Sequence, residues 1–119
     1  MISTYQLITG ADGHSHIVKG YVQEHFTSKA ISIHFKETAA SSAYSWHPAP
    51  TTQFVLTLTG SLEFAVFSGE KFVLNAGEVL IAMDTTGSGH TWKMLGNEPW
   101  KRAYIVFAEG EDVGFVADV

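Results

Sequence analysis

Short runs of alternating apolar and polar residues, broken by turn residues at intervals of roughly eight to twelve positions, are what most constrains the fold of this chain. Ile31, Ile33 and Phe35 alternate with Ser32, His34 and Lys36. Phe54, Leu56 and Leu58 alternate with Val55, Thr57 and Thr59, and Leu62, Phe64 and Val66 with Glu63, Ala65 and Phe67. A two-residue period is that of a β-strand, whose successive side chains point to opposite faces. Residues 72–74, 79–82 and 103–107 are strand-like as well, and no useful length carries the 3.6-residue period of a helix. At most a turn is expected near residues 36–43. The chain therefore reads as all-β, a sandwich or small barrel.

The breaks supply the expected connections. Thr59-Gly60-Ser61 is short enough for a hairpin, and Ser68-Gly69-Glu70 is a second tight link. Asn75-Ala76-Gly77-Glu78 reads as a turn with glycine taking a positive backbone angle. Residues 85–89 read as a flexible rim loop, and the acidic stretch from Glu109 as loosely packed. Pro48 and Pro50 lie in a loop, because proline cannot donate to a central ladder. Several strands are apolar on both faces, so both need covering. A second copy of the chain is the expected cover, which makes a homodimer the default state.

At 119 residues, 45% of them hydrophobic, the chain fits one domain spanning 1–119, with a core large enough to fold unaided. It contains no cysteine, which excludes disulfides, thiolate nucleophiles and sulfur-ligated metal sites. The start of the chain shows no basic region followed by an apolar run, so a cytoplasmic location is expected. A net charge of −5 and a single basic pair, Lys101-Arg102, argue against nucleic acid as a partner. No apolar run approaches membrane-spanning length.

The segment from Trp46-His47-Pro48-Ala49-Pro50 through Gln53 to Gly60, followed by Gly77-Glu78 and Gly87-Ser88-Gly89-His90, resembles the two motifs of the cupin family. The first is written G-x5-H-x-H-x3,4-E-x6-G. His47 falls at its first histidine, Ala49 at the second, Gln53 at the glutamate and Gly60 at the closing glycine, with Ser41 where the opening glycine would be. The second is G-x5-P-x-G-x2-H-x3-N. Gly77 opens it, Gly87 and His90 keep their spacing, Thr85 stands for the proline and Met94 for the asparagine. The stretch from Gly77 to Thr85 is two residues longer than the pattern. The resemblance covers residues 41–107, and more narrowly it is to short single-domain cupins.

That resemblance implies a jelly-roll barrel, or double-stranded β-helix, with a pocket inside, and frequent homodimers. It implies no single activity, because a fold does not determine a function. In metal-bearing members the motif residues hold iron, manganese, zinc or nickel, which here makes His47, Gln53 and His90 the candidate ligands. Ala49 and Gln53 remove an imidazole and the carboxylate, leaving a degenerate set. Asp84 or Glu63 could supply a carboxylate. The pocket residues expected around the trio are Tyr44, Trp46 and Trp92. Trp92 lies two residues after His90 and so on the same strand face.

The same residues also have ordinary readings. His47 could cap a strand end, Gln53 could satisfy its amide internally, and the aromatics could be core. Alternation sets Gln53 on the face opposite Phe54, Leu56 and Leu58. A pocket role therefore requires both faces to be covered or the register to shift at a bulge. His14 and His16 share a strand face and read as a surface or dimer-edge pair. His25 and His34 are isolated. Three functions remain open: a small-molecule-binding barrel with a degenerate metal site, a mononuclear-metal dioxygenase or isomerase, and a dimeric interaction module with a filled barrel.

Overall fold

Alternation becomes strand along nearly the whole chain. The computed structural model describes residues 1–118. Its strands are β1 (Ile2–Thr9), β2 (Ser15–Val22), β3 (Ser32–Thr38), β4 (Ala43–His47), β5 (Gln53–Thr59), β6 (Ser61–Val66), β7 (Lys71–Asn75), β8 (Val79–Ala82), β9 (His90–Leu95), β10 (Trp100–Val106) and β11 (Phe115–Ala117). They form a seven-stranded sheet, β11-β2-β1-β8-β5-β10-β3, and a four-stranded sheet, β4-β9-β6-β7. Among the described residues there is no helix, so none is long and apolar enough to cross a membrane.

From β3 onward, successive strands tend to change sheets. β5 pairs with β8 and β10, whereas β6 pairs with β7 and β9. Interleaved four-strand sets, β3-β10-β5-β8 facing β4-β9-β6-β7, make a jelly roll. This corrects the expected hairpin at Thr59-Gly60-Ser61. Gly60 instead turns the corner between the two sheets, at a φ of 96° that favours glycine. A Cβ there would press on the Pro99 carbonyl at 3.1 Å.

The core lies between the sheets. Leu7, Val55 and Leu80 from the large sheet meet Leu62, Phe64, Val66 and Leu74 from the small one, all at most 3% exposed. A second apolar layer lies outside the large sheet. There Val79 and Ile81 pack with Phe107 and Val113, against Phe54, Leu56 and Phe115. The segment after Glu109, expected to be loose, supplies this cover and adds β11 beside β2. Every residue of β8 is buried as a result. The outer face beyond that cover stays open: Ile31, Ile33, Phe35 and Leu58 are 57–72% exposed.

Leu62 is fully buried between the sheets. Leu62→Ala is expected to cost about 2–5 kcal/mol of unfolding free energy, read by urea denaturation. A loss under about 1 kcal/mol would contradict this placement of the core.

Candidate functional site

The cavity between the sheets is bounded by the free edge strands β3 and β4 and has a volume of about 430 Å³. Gln53 opens β5 and His90 opens β9, while His47 closes β4 directly opposite His90. All three therefore sit at one end of the barrel and line the cavity, as do Tyr44 and Trp92. Gln53 points inward while Phe54 and Leu56 lie under the outer layer. Both faces of β5 are covered over residues 53–56, so the inward pocket role needs no shift in register at Gln53.

Trp46 does not line the cavity and corrects the expectation. The register of β4 against β9 is irregular between Tyr44 and His47. Trp46 is left 51% exposed, its ring 6.3 Å from that of Phe67. Ala49, at the position of the second motif histidine, is 3% exposed and donates its backbone N–H to the Asp84 carbonyl at 2.9 Å.

Asp84 faces the back of His90. Its Oδ2 lies 2.6 Å from His90 Nδ1 and accepts the Ser15 hydroxyl at 2.6 Å. His47 Nδ1 lies 2.7 Å from the Ser45 carbonyl, which can only accept. Both Nδ1 atoms therefore carry a proton, so in the neutral imidazole each Nε2 presents a lone pair. The two rings are 4.6 Å apart between centroids. His90 and Gln53 are each 5% exposed, yet neither His90 Nε2 nor the Gln53 amide has a protein partner. The arrangement offers acceptors and an amide to a guest with hydrogen-bond donors.

The loop expected to be flexible is pinned. Thr9 Oγ1 donates to the Thr86 carbonyl at 3.1 Å, and the Ser88 N–H donates to the Gly13 carbonyl at 3.0 Å. Gly89 has a φ of 70°, and a Cβ there would run into the His47 carbonyl. Its spacing from His90 is thus a packing requirement that holds β4 against β9. His14 and His16 contribute no ligands here. His14 Nδ1 is 2.9 Å from Ser88 Oγ, and His16 pairs with Asp12 at 3.0 Å.

The residues do not fit a resident mononuclear metal. No group of three or more His, Asp or Glu among the described residues could hold an ion. Asp84 is occupied behind His90, and Glu63 pairs with Lys71 and Lys93 at 3.6 and 3.5 Å. Two imidazoles and an amide fall short of the three or four good donors such a site uses.

Sequence reasoning missed the opposite end of the cavity, formed by His34, Lys36, Trp100, Arg102 and Tyr104. The signal was present. Trp100, Arg102 and Tyr104 recur every second residue on β10, and His34 and Lys36 do so on β3. On β3 the face is the reverse of the usual one: the apolar residues point out and the polar ones line the cavity. The Lys101-Arg102 pair is split between faces, with Lys101 exposed and Arg102 buried.

Burial holds the His47 pKa below the ordinary imidazole value, with the nearby His90 adding to it, while the Ser45 carbonyl and Asp84 pull upward. A folded value below the unfolded one means that the unfolded chain takes up the proton first. His47 therefore costs stability as pH falls below about 6.5. An NMR titration is expected to place the His47 midpoint below about 6.5, and His47→Gln to soften the loss of stability between about pH 7 and 5. A midpoint above that value would contradict the burial argument.

No protein-family model and no curated protein matches the chain. Solved structures similar to it include a DUF861 family protein from Thermotoga maritima, 24% identical, covering 64% of this chain and 77% of that one with a TM-score of 0.49. A cupin-2 domain containing protein from Shewanella frigidimarina is 23% identical over 70% of this chain and 81% of its own, with a TM-score of 0.44. A protein from Neisseria meningitidis is 12% identical over 73% and 89%, with a TM-score of 0.48. By its own strand order, with His47, Gln53 and His90 at one end of the barrel, the chain has the cupin-type jelly-roll fold.

Proposed function

We propose that this cupin-like barrel binds a small organic molecule in its cavity and carries no resident metal. One observation carries the reading. Gln53 and His90 are 95% buried, and their inward-facing polar atoms have no protein partner. These atoms are not sealed in: among the described residues only Asp84 Oδ1 is a buried side-chain polar atom without a partner, so the Gln53 amide and His90 Nε2 open onto the cavity and are free to bond a guest there. Trp92, Val55 and Leu80 add apolar surface for its body. A dimeric interaction module with a filled barrel is disfavoured by a cavity of about 430 Å³. A chain without cysteine requires no oxidising compartment, and the cytoplasm is the proposed location.

The test is an NMR fragment screen on the purified protein, paired with elemental analysis after exposure to iron, manganese, zinc and nickel. Expected are ligands that shift the resonances of Gln53, His90 and Trp92, weakened in Gln53→Leu, and metal well below one equivalent. Stoichiometric metal lost in His47→Ala and His90→Ala would favour the metal-enzyme alternative instead. No fragment mapping to the cavity would overturn the reading.

A second copy of the chain is the proposed cover for Ile31, Ile33, Phe35 and Leu58. These four lie on the outer face beside the free edge of β3, where exposed apolar surface and unpaired backbone coincide. Light scattering is expected to give a dimer for the native chain and a folded monomer for Phe35→Lys. A monomeric native chain would refute the pairing.

A further inference from the structure

Arg102 is the most unusual group the cavity contains. It is 2% exposed and sits on the inner face of β10. Its Nε donates to the Tyr104 hydroxyl at 3.0 Å, and Nη1 donates to Thr38 Oγ1 at 2.7 Å and to the Trp100 carbonyl at 3.1 Å. All three acceptors are neutral. The guanidinium carbon lies 3.7 Å from the centre of the Trp100 ring. Nη2 has no protein acceptor, and among the described residues no carboxylate comes within the 4.0 Å of an ion pair.

A buried charge ordinarily has a counter-charge, because removing it from water is costly. The chain is not short of acids, with 12 acidic residues against 7 basic ones. Yet no Asp or Glu lines the cavity. Lys36, the exposed cross-strand neighbour of Arg102, lines the mouth of the same space and has no ion pair among the described residues. Two cations thus share a cavity from which the protein's own anions are excluded.

We propose that the cavity selects a small organic carboxylate, whose anionic group is held by Arg102 with Lys36 beside it. This rests on the small-molecule reading above and names the class of guest. Trp100 and the hydrogen bonds to Tyr104 and Thr38 fix the guanidinium plane and leave Nη2 for the ligand. A planar monoanion suits that restricted donor set better than a tetrahedral dianion, which would need more donors than remain. Arg102 lies four residues along β10 from Val106, the strand partner of Gln53, so the two ends of the cavity are roughly 13 Å apart along the strand. The guest is therefore elongated. Its carboxylate sits at Arg102, its apolar body against Trp92 and Trp100, and its far end offers a donor to the Nε2 atoms of His47 and His90.

The test compares three probes of one shape on the native protein: 4-hydroxyphenylacetate, its neutral amide 4-hydroxyphenylacetamide, and the cation tyramine. Binding is read by calorimetry and by NMR shifts of Arg102, Trp100 and Trp92. The carboxylate is expected to bind at least about tenfold more tightly than the amide, since a hydrogen bond to a charged group outweighs a neutral one. Tyramine is expected to bind least. Arg102→Gln is expected to weaken the carboxylate far more than the amide and so close the difference between them, and Arg102→Lys to restore part of it. Amide or tyramine binding in the cavity as tightly as the carboxylate would overturn the proposal and leave the small-molecule reading standing. Absence of any probe or fragment from the cavity would overturn both. Because the probe comparison uses the native chain, a failure of either variant to fold leaves the test intact.

Discussion

The buried carboxylate of Asp84 holds the site together. Its side chain is fully buried, and Oδ2 lies 2.6 Å from both the Ser15 hydroxyl and His90 Nδ1. Its backbone carbonyl accepts the Ala49 N–H. Asp84, two residues past β8, thereby ties the start of β2, the start of β9 and the loop that follows β4. The other carboxylate oxygen, Oδ1, is buried without a partner, a cost of roughly 1–3 kcal/mol that the three contacts offset. Without this carboxylate, the Ser15 and His90 donors would be buried unpaired and the imidazole would lose its orientation. The geometry of His90, and through the cross-strand pair that of His47, follows from this contact.

The charge distribution extends the same logic. The chain is acidic as a whole, while its cavity holds two cations, imidazole lone pairs and an amide, with the single nearby carboxylate screened behind a histidine ring. Acidic residues occupy the outside, as at Glu63 between Lys71 and Lys93. A site built this way differs in kind from a metal cage, which gathers anions around a cation. Here the protein supplies the positive charge.

Much of the fold was legible because a two-residue period survives any environment. The residues 31–36, 53–59 and 61–67 became strands or strand ends, and the motif spacing located one end of the barrel. The faces were less legible. Alternation states that Ile33 and His34 point apart, but not that β3, as an edge strand, leaves both exposed, with His34 at the mouth of the cavity. Trp46 illustrates the same limit, since an irregular register at the end of β4 turned it outward. Asp84 was seen as a potential metal ligand, whereas five residues of intervening loop bring it to the rear of His90. Arg102 was hidden by reading Lys101-Arg102 as a pair, when strand geometry separates them. Thr59-Gly60-Ser61 has the length of a hairpin, and only the pairing of β6 with β7 and β9 distinguishes it from a corner.

The order of the large sheet carries a consequence for how the chain assembles. β1 and β2 pair with each other at once, but residues 4–7 find their other partner only in residues 79–82, and β2 completes its pairing with β11 near residue 115. During synthesis the first hairpin therefore waits, both edges unpaired, until most of the barrel has emerged. Loop-closure entropy must be overcome before such distant pairings return any stability, which places this topology among the slow folders. The unpaired backbone along the edges of that waiting hairpin is the part of the chain most exposed to mispairing, and the segment that covers the outer layer follows the strands it covers.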